Sequence, residues 1–363
     1  MRCNRPSWYS RRRLPRMSAG LGDLMNNFVN VSAITQLTEE VTARALAATT
    51  MKKKRNNVGC YDDGDGVLQM VFLANEDIPL VQGMWDPKNP LDFKLEYCQQ
   101  QVAAAMSIPR PTRMISAKGC CNERHLLKAI ISSLIPVRLD RLSLSPLNKV
   151  LVLGLGVGAI PRTLHAIYPS LAADVVEIDN DVIDTCRSFF KLRDVQPGES
   201  GVSVHHGDAT EFVKRETSKA IYDIVYMDAY NEKGIPSSLL THSFYEDMIS
   251  CLKPGGLLSI NLIEDVDDAD VVLDRAQEML VDPLIIRAQS TSNQAIFGVP
   301  RAKKHDSDKD TSNSRLFDLL NEMKTRAGGV DARLILPYSI APQVLLAERL
   351  ADVRARNFAW DDV

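Results

Sequence analysis

The chain has 363 residues, enough for one large or two smaller domains with an ample core, and its 45% hydrophobic and 25% charged composition is that of a globular protein. A formal net charge of −3 supplies no global basic field that would draw it to nucleic acid, and no stretch approaches the roughly 20 apolar residues of a membrane helix. The seven cysteines are odd in number and form no CxxC pair, which predicts reduced thiols and an intracellular setting.

Residues 1–60 read as a basic, partly disordered extension. Arg2, Arg5, Arg11, Arg12, Arg13 and Arg16 precede the first acid, Asp23, and no apolar h-region accompanies them. This is not a secretory signal; an organelle transit peptide and a disordered basic tail both remain open. The expected location is the cytoplasm or, if the start is a transit peptide, a mitochondrion or plastid. A mildly amphipathic helix is expected over 21–50 and a solvated basic linker over 52–55. The stretch 61–66, YDDGDG, lacks the ligand spacing and closing glutamate of a calcium loop and reads as a turn.

Within 61–106, strand-like runs at 67–73 and 78–85 predict a small β-hairpin, and 91–106 follows as a helix. Residues 107–147 read as a helical insert: Pro109, Pro111 and Gly119-Cys120-Cys121 mark a loop, and Asn122 suits the cap of a helix with paired apolar positions. From 148 to 300 the pattern is regular. Strands at 149–154, 173–178, 202–205, 222–227 and 256–262 alternate with helices at 160–168, 181–190, 209–217 and 241–252, which means a mostly parallel sheet with helices on both faces. Two further runs, 284–289 and 294–299, lie too close together for a crossover helix and predict an antiparallel pair. The fold class is α/β: a Rossmann-like, seven-stranded, mostly parallel sheet with an antiparallel last strand, preceded by the small hairpin. Residues 301–363 read as a polar linker, a helix at 315–326, a strand at 334–336 and a last helix at 343–354.

The chemistry concentrates at the strand ends. Gly154, Gly156 and Gly158 follow the first core strand, and glycines there let the backbone approach a ligand and take positive φ. Glu177 closes the second strand, where a carboxylate can accept from both hydroxyls of a ribose. Asp208 sits where it would cap the helix at 209–217. Asp228 follows a buried apolar strand, at the edge where such sheets bind ligands. Adjacent His205 and His206 point to opposite faces, so no metal site is expected. The acids within 265–270 read as a solvated loop, with a basic substrate peptide as the functional alternative. The turn 253–256, KPGG, is structural.

Five stretches in order carry a resemblance: VLVLGLGVGAIP (150–161), VVEIDNDVIDTCRSFF (175–190), HHGDATEFV (205–213), YDIVYMDAYNEKGIP (222–236) and THSFYEDMISCLKPGGLLSINL (241–262). Together they resemble the spermidine-synthase-like branch of class I S-adenosylmethionine-dependent transferases, and LEYCQQQVAAAM (95–106) resembles the segment before the core there more weakly. The resemblance implies S-adenosylmethionine or its decarboxylated form as cofactor. It implies that the loop 154–158 cradles the methionine end, Glu177 holds the ribose, Ile178 lies against the adenine, and Asp208 with Ala209 meets the adenine amino group. It implies that Asp228 faces the reacting centre, where polyamine synthases use an aspartate to orient and deprotonate the attacking amine. Tyr230 and Asn231, on the following loop, are candidates for shaping the acceptor pocket.

The chain departs from the polyamine synthases at two places. Val157 stands where their glycine loop has an aspartate for the cofactor amine, and Asn231 stands where a second acid follows the catalytic one. The loop also resembles that of methyltransferase-like proteins that methylate a translation elongation factor. The expected function is methyl transfer to an amine acceptor, a protein lysine or N-terminus or a small molecule. Aminopropyl transfer to a polyamine is the alternative, and a non-catalytic binding protein the third reading. No nucleic acid, membrane or metal partner is expected, and a homodimer is left open.

Overall fold

The structure, a computed structural model, describes residues 50–55, 58–72, 80–92, 94–106, 147–217, 219–231, 234–264, 268–289, 291–301, 342 and 346–361. The expected helix at 21–50, nearly all of the 107–147 insert, the Cys120-Cys121 pair, and the linker, helix and strand expected between 302 and 341 lie outside the described residues. Contacts divide the chain into Met1–Thr50 and Met51–Val363, and the description below concerns the second unit, whose first strand opens at Thr50.

A four-stranded antiparallel sheet comes first: β1 (Thr50–Arg55), β2 (Val58–Asp62), β3 (Leu68–Phe72) and β4 (Leu80–Trp85), in sequence order. This corrects two expectations. The hairpin is half of a larger sheet, and the basic run taken for a linker is strand β1. The 61–66 stretch does turn, with Gly64 and Gly66 at positive φ and the Asp63 N–H donating to the Val67 carbonyl at 3.1 Å. Helix α1 (Glu96–Met106) starts five residues later than expected, because the chain first folds into a turn beneath Trp85. The buried Trp85 indole N–H donates to the Pro90 carbonyl at 3.0 Å, and the Arg162 guanidinium lies over the ring, 5.0 Å from its centroid.

The main sheet follows. Its strands are β5 (Lys149–Leu153), β6 (Ala172–Glu177), β7 (Gly201–His206), β8 (Tyr222–Met227), β9 (Leu252–Ile263), β10 (Leu280–Arg287), β11 (Asn293–Pro300) and β12 (Glu348–Arg349). The spatial order is β12-β10-β11-β9-β8-β5-β6-β7, so the sheet has eight strands rather than seven. The extra one is a two-residue edge strand with no hydrophobic period to announce it. β5 to β9 are parallel, whereas β11 is antiparallel to both β9 and β10 and is wedged between them.

The connecting helices are α2 (Ala159–Ile167), α3 (Asn180–Phe189), α4 (Ala209–Glu216), α5 (His242–Ser250), α6 (Ala269–Met279) and α7 (Leu350–Asp361). Sequence periodicity missed α6 and placed α7 several residues early. Alternation along β5 separates two cores. Val150 and Val152 pack with α1, α2, α3 and the small sheet through Cys98, Leu164, Ile183 and Trp85. Leu151 and Leu153 face α4, α5, α6 and α7 through Val213, Met248, Ala276 and Val353. Cys60, Cys98, Cys186 and Cys251 are buried and form no disulfide. Among the described residues no helix is long and apolar enough to cross a membrane.

Two aspartates pin the edge of the sheet opposite the glycine loop. Asp223 accepts from the Asn148 and Lys149 N–H groups at 2.8 and 2.9 Å and pairs with Lys253 at 3.0 Å. Asp174 is buried and accepts from His205 at 3.0 Å, Lys149 at 2.9 Å and the Tyr222 hydroxyl at 2.8 Å. Burial pushes its carboxyl up, but these three partners outweigh burial and hold it at about 2. Asp174→Ala should therefore cost about 3 kcal/mol, the low end for breaking a buried ion pair, because Lys149 and His205 remain partly exposed. The depressed carboxyl stabilises the fold above an unfolded value of about 3.9 and is lost as pH falls toward 2. Urea unfolding at pH 7 and at pH 2.5 checks both points: the wild-type advantage should be full at the first and cut to about a third at the second.

Candidate active site

The carboxyl ends of β5, β6, β7, β8 and β9 open into a cavity of about 690 Å³, walled on the other side by the small sheet and the start of α1. That volume is in the range of sites for small molecules and cofactors. Every residue given a cofactor, catalytic or acceptor role from the sequence lines it except Gly158: Gly154, Gly156, Glu177, Ile178, Asp208, Ala209, Asp228, Tyr230 and Asn231. Gly158 does not line the cavity. It takes φ 72° as the N-cap of α2, and a side chain there would meet Arg162 rather than the cavity.

Gly154 is the tightest point. At φ 99° its missing Cβ would lie 2.1 Å from the Asp228 carbonyl oxygen, so no other residue fits. Its N–H donates to Val176 at 2.8 Å, while the Asp228 N–H donates to Leu153 at 2.9 Å. The ends of three strands are thereby drawn to one point. Gly156 lies beneath the Gln82 carbonyl of β4, and Val157 is buried against Gly83, whose added Cβ would sit 2.6 Å from the valine methyls. The position at which an acid was sought therefore serves as packing between the glycine loop and the small sheet.

The Glu177 carboxylate accepts from the backbone N–H groups of Leu155 and Asp179, each at 2.9 Å. Desolvation raises its ionisation above the usual carboxylate value, and the two N–H groups pull back against that. Ile178 is 65% exposed at the cavity lip. Asp208 does cap α4: one oxygen takes the Thr210 N–H at 2.6 Å, the Thr210 hydroxyl and the Glu211 N–H at 3.4 Å. These bonds, led by Thr210, hold it below the usual carboxylate range. A carboxylate held on the sheet edge, glycine backbone and an exposed apolar side chain make a site suited to a purine nucleoside.

Asp228 lies at the other end of the cavity. Burial pushes its carboxyl up to about 7, opposed by the Asn261 amide at 2.7 Å and reinforced by the negative charge of Glu177. Asn261 in turn accepts from the Asn293 amide at 3.1 Å. The Tyr230 hydroxyl donates to the Asn261 carbonyl at 2.8 Å and accepts from the Ile263 N–H at 3.0 Å, so it straps the loop after β8 to β9 and only its ring is left to shape the pocket. Asn231 reaches the cavity from a bridge with Gly234. The sequence reading missed Asn261, Asn293 and Tyr97. Tyr97 lines the cavity from α1, its phenol raised by burial and by the Asp228 charge. One signal for Asn261 was available: a lone amide inside the apolar strand LLSINLI must have a polar partner. His205 and His206 bond Asp174 and the Ile178 carbonyl, and no group of metal-ligating side chains occurs among the described residues.

This is a Rossmann-like α/β protein with its site at the carboxyl edge of the sheet. Residues 138–266 match the model of the spermine/spermidine synthase domain, and the chain is similar to the spermidine-synthase-like branch of class I transferases. It is 35% identical over 115 residues to the polyamine aminopropyltransferase of Vibrio vulnificus, covering 31% of this chain and 37% of that one. It is 24% identical over 252 residues to the human eEF1A lysine and N-terminal methyltransferase, covering 65% of this chain and 35% of that one. The matched segments thus span little more than a third of these relatives' lengths. In fold it is similar to a probable spermidine synthase from Corynebacterium glutamicum, with a TM-score of 0.50 at 16% identity over 77% of this chain and 87% of that one.

The raised carboxyl of Asp228 makes a stability prediction. Between an unfolded value of about 3.9 and a folded value of about 7 the native state holds the extra proton, so stability falls as pH rises through that window. Asp228→Asn should melt above wild type at pH 8 and with it at pH 4; a gap that does not change with pH would count against the buried carboxyl.

Proposed function

We propose that this protein is an S-adenosylmethionine-dependent methyltransferase acting on an amine. The cavity fits the cofactor on its own geometry: Glu177 is oriented by two backbone N–H groups, the glycine loop leaves open backbone at Gly154 and Gly156, and Ile178 offers an apolar lip. As a sulfonium the cofactor supplies an already activated carbon, so the protein's work is to position the acceptor, keep water out and take up a proton.

Glu177 holds the ribose hydroxyls, Ile178 and Ala209 flank the adenine, and Asp208 accepts from its amino group while still capping α4. Asp228 is the proton acceptor. The attacking nitrogen must carry a free lone pair, and a carboxyl held at about 7 is matched to relieving an ammonium of its proton near neutral pH. The cavity's small-sheet wall, with Met70, Phe72 and Leu95, suits the aliphatic stem that carries such an amine.

The choice of methyl over aminopropyl transfer is carried by the distribution of carboxylates. Among the described residues Glu177, Asp208 and Asp228 are the acids lining the cavity. A polycationic acceptor calls for several fixed carboxylates, yet beyond Glu177 the polar groups near Asp228 are the neutral amides of Asn231, Asn261 and Asn293 and the phenols of Tyr97 and Tyr230. At the cofactor end Val157 is dry and packed on Gly83, so the loop presents no acid to repel a cofactor carboxylate. Aminopropyl transfer is kept as the second reading by the 35% identity to a polyamine aminopropyltransferase.

The test offers S-adenosylmethionine and its decarboxylated form with a lysine-bearing protein fraction or with putrescine, and identifies the nucleoside released. S-adenosylhomocysteine from the first is the expected product; methylthioadenosine formed from the decarboxylated cofactor alone would sink the methyl reading. Asp228→Asn should lower turnover by roughly 10²–10⁴-fold with cofactor affinity little changed. Glu177→Ala should weaken cofactor binding by about 1.5–3 kcal/mol, the usual loss of a charged hydrogen bond. Calorimetry separates the two, and equal loss of binding in both would refute the division of labour.

A further inference from the structure

The antiparallel strand β11 reaches the reacting end of the cavity through one side chain. In the β9–β11 register Asn261 lies opposite Ala295 and Ile263 opposite Asn293, so Asn293 is the diagonal neighbour of Asn261 on the same face of the sheet. Such neighbours lie about 7–8 Å apart at the backbone, a gap that two amide side chains can close. They do: Asn293 Nδ2 donates to Asn261 Oδ1 at 3.1 Å, and Asn261 Nδ2 donates to Asp228 Oδ1 at 2.7 Å.

We propose that Asn293 is a positioning residue for the transfer reaction: it holds the Asn261 amide in the orientation that turns an N–H toward Asp228, leaving the second carboxylate oxygen to the incoming amine. This rests on the reading of Asp228 as proton acceptor given above. An amide can face its neighbours either way round, and only its partners decide which. Were Asn261 reversed, its carbonyl would face an ionised Asp228, a repulsive pairing of two acceptors in a half-buried site.

The rest of the chain fixes where Asn293 stands. The Ala288 N–H donates to the Asn293 carbonyl at 2.8 Å, closing the β10–β11 turn, and the Gln289 N–H of that turn donates to Glu96 at the start of α1 at 2.9 Å. From the same helix Gln101 takes the Ser259 hydroxyl, two residues before Asn261 on β9. Helix α1, strand β9 and the antiparallel hairpin are therefore locked together around one amide. The other titratable groups facing Asp228 are Glu177 from the end of β6, Tyr97 and Cys98 from α1, and Tyr230 from the loop after β8. None of them touches Asn293 in the bonds described, so a neutral change at 293 acts on Asp228 through Asn261.

The reversal can be forced. At position 293 an aspartate accepts only, so Asn261 must turn its N–H groups away from Asp228. The Asp228 carboxyl is followed directly by carbon-13 NMR in the cofactor-free protein, and the acid limb of kcat/KM is measured beside it. Asn293→Ala should move the Asp228 titration upward by about one pH unit as a donor to the charged form is loosened, and Asn293→Asp by more as that donor is reversed and the new carboxylate adds its own charge. Asn293→Ser, which keeps a donor, should fall between wild type and alanine and guards against a folding defect in either larger change. In an Asn261→Ala background the Asn293→Ala change should add nothing. A titration that stays at its wild-type position, or that moves equally in the Asn261→Ala background, overturns the proposal. A titration that moves without any displacement of the acid limb supports the positioning and removes Asp228 from the reaction, so the two readings fail separately.

Discussion

The structure turns on a contact that admits no side chain. The end of β5 and the end of β8 meet at Gly154, where a first side-chain carbon would lie 2.1 Å from the Asp228 carbonyl. Because the backbones approach closely enough to exclude a side chain, the glycine loop and the residue after β8 share one floor. Glu177 then stands on one side of that floor and Asp228 on the other, each delivered by its own strand end. A parallel sheet supplies such a floor at its carboxyl edge, since the helices leave upward there and the loops are free of the ladder.

Two carboxylates on one floor face opposite demands. Burial favours the neutral form of both; Asp228 also bears the charge of Glu177, and Glu177 that of Asp179. Glu177 meets this with two backbone N–H groups, which also fix its direction. Asp228 has one amide donor and is left near neutrality, poised to gain or lose a proton. The difference in donor count separates a residue that holds from one that exchanges. Asp174, at the far edge of the same sheet, marks the other extreme: three partners make it a permanently ionised pin.

Much of the core was legible in the sequence because a buried parallel strand is a continuous apolar run and the crossover between two of them has a fixed hand. Val150, Val175, Ile224 and Leu258 each sit in the strand that their run announced, and Glu177, Asp208 and Asp228 stand at the strand ends where the motif spacing put them. Periodicity failed where an element had little apolar pattern to show. The edge strand at Glu348–Arg349 is two residues long, the strand at Thr50–Arg55 is mostly basic, and α6 follows a run of acids that masked its start. Gly158 caps α2 and does not line the cavity, and a third glycine looks alike in sequence whether it meets a ligand or caps a helix.

What the sequence determined by itself is the order of strands and helices, the glycine floor and the identity of the acids at the strand ends, since these depend on local pattern and on spacing along one chain. What only the tertiary structure decided is which groups surround those acids. Val157 packs on Gly83, Tyr97 reaches in from α1, and Asn293 meets Asn261 across an antiparallel register. Those partners come from segments tens of residues or more apart, and a carboxylate's ionisation is set by what lies within a few ångströms of it in space, whatever its distance along the chain.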